Sequence, residues 1–316
     1  MGDCHDGCDA VDRADAGASV ARRPMSASPA IGFIGFGEAG FHIAKGLRSE
    51  GVERLAAFDI HTHSSDFGPT IRNRAAESRT ELVESSSDLA ARSDILFSTV
   101  TASSALDAAK QTAPFLAARH IYADLNSVSP AVKQEIENVV RSRGAGFVEA
   151  AVMAPVPPYG HRVPMLLGAA DAARLAETMT PFGMRFEIIP GNTGTAVAVK
   201  MCRSVVVKGL EAVLFECVLA AGRYGADERV FASLNESFPG IDWKKLADYM
   251  VGRVVVHGER RAREMEEAAE TLRAIGVEPI MAEAAARRQD WSARMNLRSR
   301  FGPEGPKTYR ELLEKI

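Results

Sequence analysis

Residues 31–47, IGFIGFGEAGFHIAKGL, carry an apolar run into three glycines at the spacing G-x-G-x-x-G (Gly35, Gly37, Gly40) and then into helix-forming residues. Strand before and helix after is the context that turns a glycine pattern into a dinucleotide fingerprint. The three glycines have distinct physical roles. Gly35 permits the tight turn, Gly37 lets the backbone approach a pyrophosphate, and Gly40 allows helix and strand to pack closely. The amides at the helix start, at Glu38 and Ala39, then meet the phosphates. Asp59 ends the second apolar run, nineteen residues after Gly40, where a carboxylate binds the adenosine ribose hydroxyls. Its charge repels a 2′-phosphate and so favours NAD. His61, His63, Arg72 and Arg74 follow closely and leave NADP as the alternative. Val100 and Thr101, after the run DILFST, complete the expected cofactor-binding set.

The rest of the first half repeats the same unit. IGFIG, LAAFD, DILFST, HIYADL, GFVEAAV, PMLLG and RFEIIP read as strands, most of them near-continuously apolar, as strands covered on both faces are. Helical stretches lie between them, several opening on Ser or Asp. This alternation predicts a doubly wound, mainly parallel α/β Rossmann domain over 31–190. Beyond residue 191 strand signals fade. TAVAVKMCRSVVVKGLEAVLFECVLAAGRYG reads as one long helix, apolar on most faces and therefore buried, with Cys202 and Cys217 as small buried hydrophobes. The remainder is helical too, giving an all-α domain over 191–316. So apolar a helix exceeds what one small domain can cover, which predicts a homodimer built through the helical domain.

Residues 1–30 read as a tail. Asp recurs at 3, 6, 9, 12 and 15, and no apolar segment marks a secretory signal. Met25 is a candidate start, six residues before the first strand. CHDGC has no second ligand pair, so it is read as incidental and no metal site is expected. Four cysteines in 316 residues make no disulfide framework, in keeping with a cytoplasmic protein. With 38 Lys and Arg against 41 Asp and Glu, a net charge of −3, nothing favours nucleic acid or an acidic membrane as partner; a small molecule remains.

Three further stretches carry a family resemblance. DLNSVSP (124–130) looks like the substrate-binding motif D-x-S-T-x-x-P of the β-hydroxyacid dehydrogenases, relatives of 6-phosphogluconate dehydrogenase. EAAVMAPVPPYGHRVPMLLGA (149–169) resembles that family's D-A-P-V-S-G-G segment. GNTGTAVAVK (191–200) resembles its G-x-x-G-x-x-x-x-x-K segment, which opens the interdomain helix and ends at the catalytic lysine. The helical C-terminal part looks like the poorly characterised domain of one subgroup.

The resemblance implies NAD(P)-dependent hydride transfer to or from a β-hydroxyacid-like substrate, with Lys200 as proton donor or acceptor at the substrate oxygen. The chemistry wants an amine there, because a hydride leaving a carbinol carbon needs a matching proton, and a desolvated lysine titrates near working pH. Asn126 and Ser127 match the family's substrate-binding Ser and Thr. Ser204 stands four residues after the lysine, where the family usually has Asn, and supports it from the same helix face. Met153, Ala154 and Pro155 replace S-G-G. Both departures suggest a larger or less polar substrate than the usual small hydroxyacids. Counting back from LRAIG puts Arg263 and Glu264 where the family often has Lys-Asp, so Arg263 is a candidate bidentate clamp for a carboxylate, with a solvated charged face as the bland alternative. His257 and Tyr159 read as structural. The rival readings are an imine reductase, whose relatives typically lack the lysine, and a non-catalytic NAD(H) sensor, which would have lost lysine and substrate motif together. Decarboxylation after hydride transfer stays open.

Overall fold

A computed structural model describes residues 28–316, so the tail's Asp repeat, CHDGC and Met25 lie outside the described residues. The strands are β1 (Ile31–Ile34), β2 (Leu55–Phe58), β3 (Glu81–Leu82), β4 (Ile95–Ser98), β5 (Ile121–Asp124), β6 (Gly146–Val152), β7 (Pro164–Gly168) and β8 (Arg185–Ile188). They form one sheet in the order β3-β2-β1-β4-β5-β6-β7-β8. β1 to β6 run parallel; β7 returns antiparallel to β6, and β8 lies parallel to β7. The helices alternating with them are α1 (Glu38–Ser49), α2 (Gly68–Ser78), α3 (Ser86–Arg92), α4 (Ala105–Thr112), α5 (Pro130–Arg141), the one-turn α6 (Val156–Tyr159) and α7 (Ala172–Met179). The two-residue β3 and the weakly apolar α2, opened by Gly68-Pro69, leave little trace in the sequence pattern.

Successive strand residues point to opposite faces. Ile31 and Phe33 therefore join a core with Ile43, Ala44 and Leu47 of α1, while Ile34 joins a second with Leu89 of α3, Ala109 of α4 and Ile136 of α5. Covered twice, the strands have to be apolar throughout, which explains their runs. Because β1 is flanked by β2 and β4, the chain reverses direction there, and a crevice opens beyond the strands' carboxyl ends.

The helical part consists of α8 (Thr195–Arg223), α9 (Asp227–Ser237), α10 (Trp243–Ala274), α11 (Ile280–Arg294), α12 (Leu297–Phe301) and α13 (Tyr309–Lys315). α8 and α10 pack antiparallel. Val197 and Met201 meet Met265 and Ala268, whereas Phe215 and Val218 meet Val251 and Val254. The expectation that α8 is buried on most faces needs correcting. Val199, Val206 and Val213 are 42%, 70% and 53% exposed, and Cys202 is exposed beside them. At about 100° per residue these four form one stripe that nothing among the described residues covers. Cys202 is thus a surface thiol, while Cys217 is half-buried. Among the described residues no helix is long and apolar enough to cross a membrane.

Candidate active site

The glycine-rich turn is held by its neighbours. Gly35 has φ +80°, and a Cβ there would lie 2.7 Å from Val100 Cγ1, so both backbone and space demand glycine. Thr99 donates its hydroxyl to Gly35 O at 2.7 Å, and a Cβ on Gly40 would meet that same hydroxyl at 2.8 Å. Asp59 accepts from Phe36 N at 2.7 Å and from His61 N at 2.8 Å. It braces the turn against β2, and each oxygen keeps a lone pair for a ribose hydroxyl. Gly37 contrasts with its neighbours: a Cβ there would meet nothing within 4 Å. Gly37 also caps α1 with no side chain over the first-turn amides. Uncovered donors facing open space suit a pyrophosphate, so the residues present fit a dinucleotide. Gly37→Ala should leave the melting temperature unchanged yet weaken NADH binding about tenfold or more, read by nucleotide fluorescence, because the methyl occupies the pyrophosphate's approach.

Glu38, Ala39 and Val100 line the crevice. Thr99 and Ala102 stand in the same wall. Thr101, between Val100 and Ala102, opens a 3₁₀ turn over Ala102–Ser104, and its hydroxyl donates to Ser104 Oγ at 3.0 Å.

The crevice continues as a cleft of about 950 Å³ between the sheet's carboxyl end and helices α8 and α10. Lys200 projects into it from the second turn of α8. The start of that helix is fixed by Glu149 of β6, a fully buried carboxylate accepting from Gly194 N and Ala196 N at 2.8 Å each. Burial pushes that carboxyl up, and the two amides oppose the rise. Gly194 itself has φ +105° and lies against Pro130, leaving no room for a side chain. Glu149 thus acts as a cap supplied from another element, and it fixes where Lys200 emerges.

Lys200 Nζ donates to Ser127 Oγ, joining the two residues that the substrate motif and the lysine motif contribute. Burial presses the Lys200 ammonium down from 10.5 to about 8; Glu264 opposes this, while Lys133, Lys208 and Arg260 add to it. Asn126 is more committed. Its amide donates to Ser98 Oγ at 2.9 Å and to Asp124 Oδ1, leaving Oδ1 of Asn126 buried with no hydrogen-bond partner among the described residues. Toward the cleft it can therefore accept from a hydroxyl but not donate to a carboxylate. Behind it, Lys133 and Asp124 form an ion pair at 2.7 Å, both side chains fully buried. DLNSVSP-A-V-K does contain this pair, nine residues apart, but only the turn between β5 and α5 brings it together.

Ser204 lines the cleft one turn below Lys200. Arg263 does not and is corrected: its side chain is 72% exposed and pairs with Glu266 at 3.3 Å. Neighbouring helix positions differ by about 100°, so the face of α10 turned to the cleft carries Arg253, His257, Arg260 and Glu264 instead. Below them Arg261 and Glu211 form a buried ion pair at 2.6 Å. Among the residues lining the cleft, Lys200, Arg203, Lys208, Arg253, Arg260 and Arg261 face only Glu38, Glu211 and Glu264. A chain of net charge −3 therefore keeps a cationic pocket, which speaks against the less polar substrate among the expectations raised by the altered loop. His257, read as structural, also stands in this wall.

Comparison with known proteins matches both halves. Residues 30–156 match the NAD binding domain of 6-phosphogluconate dehydrogenase, and 221–292 match a domain of unknown function, DUF1932. A conserved hypothetical protein from Sinorhizobium meliloti is 37% identical, with 92% of this chain and 97% of that one covered at a TM-score of 0.77. MTH1747, a conserved protein of unknown function described as structurally similar to 3-hydroxyacid dehydrogenases, is 30% identical over 84% of this chain and 98% of its own, at a TM-score of 0.70. The mitochondrial 3-hydroxyisobutyrate dehydrogenase of Drosophila melanogaster is 27% identical over 67% of this chain and 64% of that enzyme. The chain belongs to the NAD(P)-binding, 3-hydroxyacid dehydrogenase-like family that joins a 6-phosphogluconate dehydrogenase-type domain to a DUF1932 domain.

Proposed function

We propose that the protein is an NAD(P)-dependent dehydrogenase acting on the CH–OH of a β-hydroxyacid, with Lys200 as acid and base. The observation that carries this reading is the Lys200–Ser127 contact at the cleft, with the ammonium brought to about 8. A bound nicotinamide supplies or accepts the hydride. The chain's residues do the rest. Gly35, Gly37 and Gly40 with the amides of Glu38 and Ala39 hold the dinucleotide, and Asp59 favours NAD. Ser127 donates to the substrate, Asn126 accepts from its hydroxyl, and the surplus of cations draws an anion in. Lys200 takes the hydroxyl proton in oxidation and returns one in reduction.

Oxidation needs the neutral amine, so kcat/KM should rise with pH through about 8; reduction needs the ammonium and should fall through the same value. Turnover profiles in both directions test this, and a flat profile across pH 7–9 would count against Lys200. We also propose a cytoplasmic homodimer joined along the exposed Val199–Cys202–Val206–Val213 stripe of α8. Val206→Glu should then halve the mass seen by light scattering, whereas a monomeric wild type would reject the interface.

A further inference from the structure

Ser204 stands one helical turn from Lys200, where the family resemblance places an asparagine amide, and it is 6% exposed. A helical serine often returns its hydroxyl to the carbonyl four residues back. Ser204 makes no such bond among the described residues. Its Oγ instead accepts from Lys208 Nζ at 2.9 Å. An ammonium has donors only, so this contact uses Ser204 as an acceptor and leaves its own O–H free to donate, beside a cleft that Lys200, Ser204 and Lys208 all line. Lys208 Nζ also lies 3.1 Å from Glu264 Oε2, and Arg260 Nη1 donates to Glu264 Oε1 at 2.6 Å. Glu264 thus has a cation on each oxygen. Burial works to raise its carboxyl, but Lys208 and Arg260 outweigh it and hold the group below the usual carboxylate range.

We propose that Lys208 is a positioning residue of the reaction centre: it sets the Ser204 hydroxyl as a donor to the substrate oxygen, replacing the absent amide, and it keeps Glu264 from pairing with Lys200. The proposal rests on Lys200 being the acid/base. Lys200 is faced by Glu264 and Arg260 of α10, by Lys133 of α5 and by Lys208 of its own helix. Lys208 is faced by Glu264 and Arg260, and its charge also reaches Glu211 on α8. Without Lys208, Glu264 keeps one cation instead of two and its charge acts more strongly on Lys200, which then titrates higher. Removing the Glu264 charge acts in the opposite sense.

Competitive acetylation with acetic anhydride over a pH series, read at Lys200 by mass spectrometry, tests this without any substrate. Lys208→Met should raise the Lys200 midpoint by about one pH unit. Lys208→Arg should leave it in place, and Glu264→Gln should lower it. A folded Lys208→Met with an unmoved midpoint overturns the proposal; if that variant does not fold, an unmoved midpoint in Glu264→Gln does so. The Ser204 role is read by rescue. On a hydroxyacid that the wild type oxidises, Lys208→Met should lose about tenfold in kcat, the scale of one hydrogen bond at the reacting oxygen, with a smaller change in KM. Adding Ser204→Asn should recover the rate without restoring the midpoint, and absence of rescue overturns that role. Failure of the underlying reading looks different: Lys200→Ala at wild-type turnover rejects it whatever the midpoints do.

Discussion

Lys200→Ala should lower turnover by roughly 10²–10⁴-fold, the usual worth of a positioned acid/base, while NADH binding measured by fluorescence stays close to wild type. The separation follows from where things sit. In the proposed arrangement the dinucleotide lies on the β1–α1 turn and Asp59, whereas Lys200 enters the cleft from α8. Lys200→Arg should not rescue the loss. A guanidinium stays charged at any working pH and cannot take the proton, even if it keeps a bond to Ser127. Partial return of activity with added small primary amines would support the role of a neutral amine. Lys200→Ala with the rate of the wild type would reject it.

Lys133→Met should cost about 3–5 kcal/mol of stability in denaturant titrations, because it leaves the Asp124 carboxylate buried and without its counter-charge. The double variant Asp124→Asn/Lys133→Met should recover most of that cost, since no lone charge is left inside. The pair also bears on the site. Asp124 holds the Asn126 amide, and the Lys133 charge helps press Lys200 down. In Lys133→Met the pH limb near 8 should therefore move upward, as one cation facing Lys200 has gone. Lys133→Met as stable as wild type would show that the pair is not buried as described.

Much of this is legible in the sequence, for identifiable reasons. Strands covered on two faces are apolar runs, and seven of the eight are visible; β3 has only two residues and offers no period. The glycine spacing and the order of the substrate and lysine motifs are local, and local signals survive in a single chain. What is hidden depends on phase or on distant partners. Arg260, Arg261 and Arg263 look alike in ERRAREMEEAAE, yet one faces the cleft, one is buried on Glu211 and one meets solvent. The partner that settles Arg261 is fifty residues away on α8. Lys208 looks like any helix lysine in the sequence, because only the fold brings α10 and Glu264 beside it. Cys202 reads as buried because its helix is apolar, whereas α8 keeps an apolar stripe on the surface.

The most direct measurement is nicotinamide absorbance with NAD and NADP against a panel of β-hydroxyacids, short and long, with one or two acidic groups, run for wild type and Lys200→Ala, with the product identified by mass spectrometry. Reduced nicotinamide and the matching oxo product should form in equal amounts from at least one hydroxyacid, and both should be lost in the variant. Tight nicotinamide binding with no turnover of any hydroxyacid, or of the ketones and imines offered in reverse, would contradict the proposed function and leave the chain a nucleotide-binding protein without this chemistry.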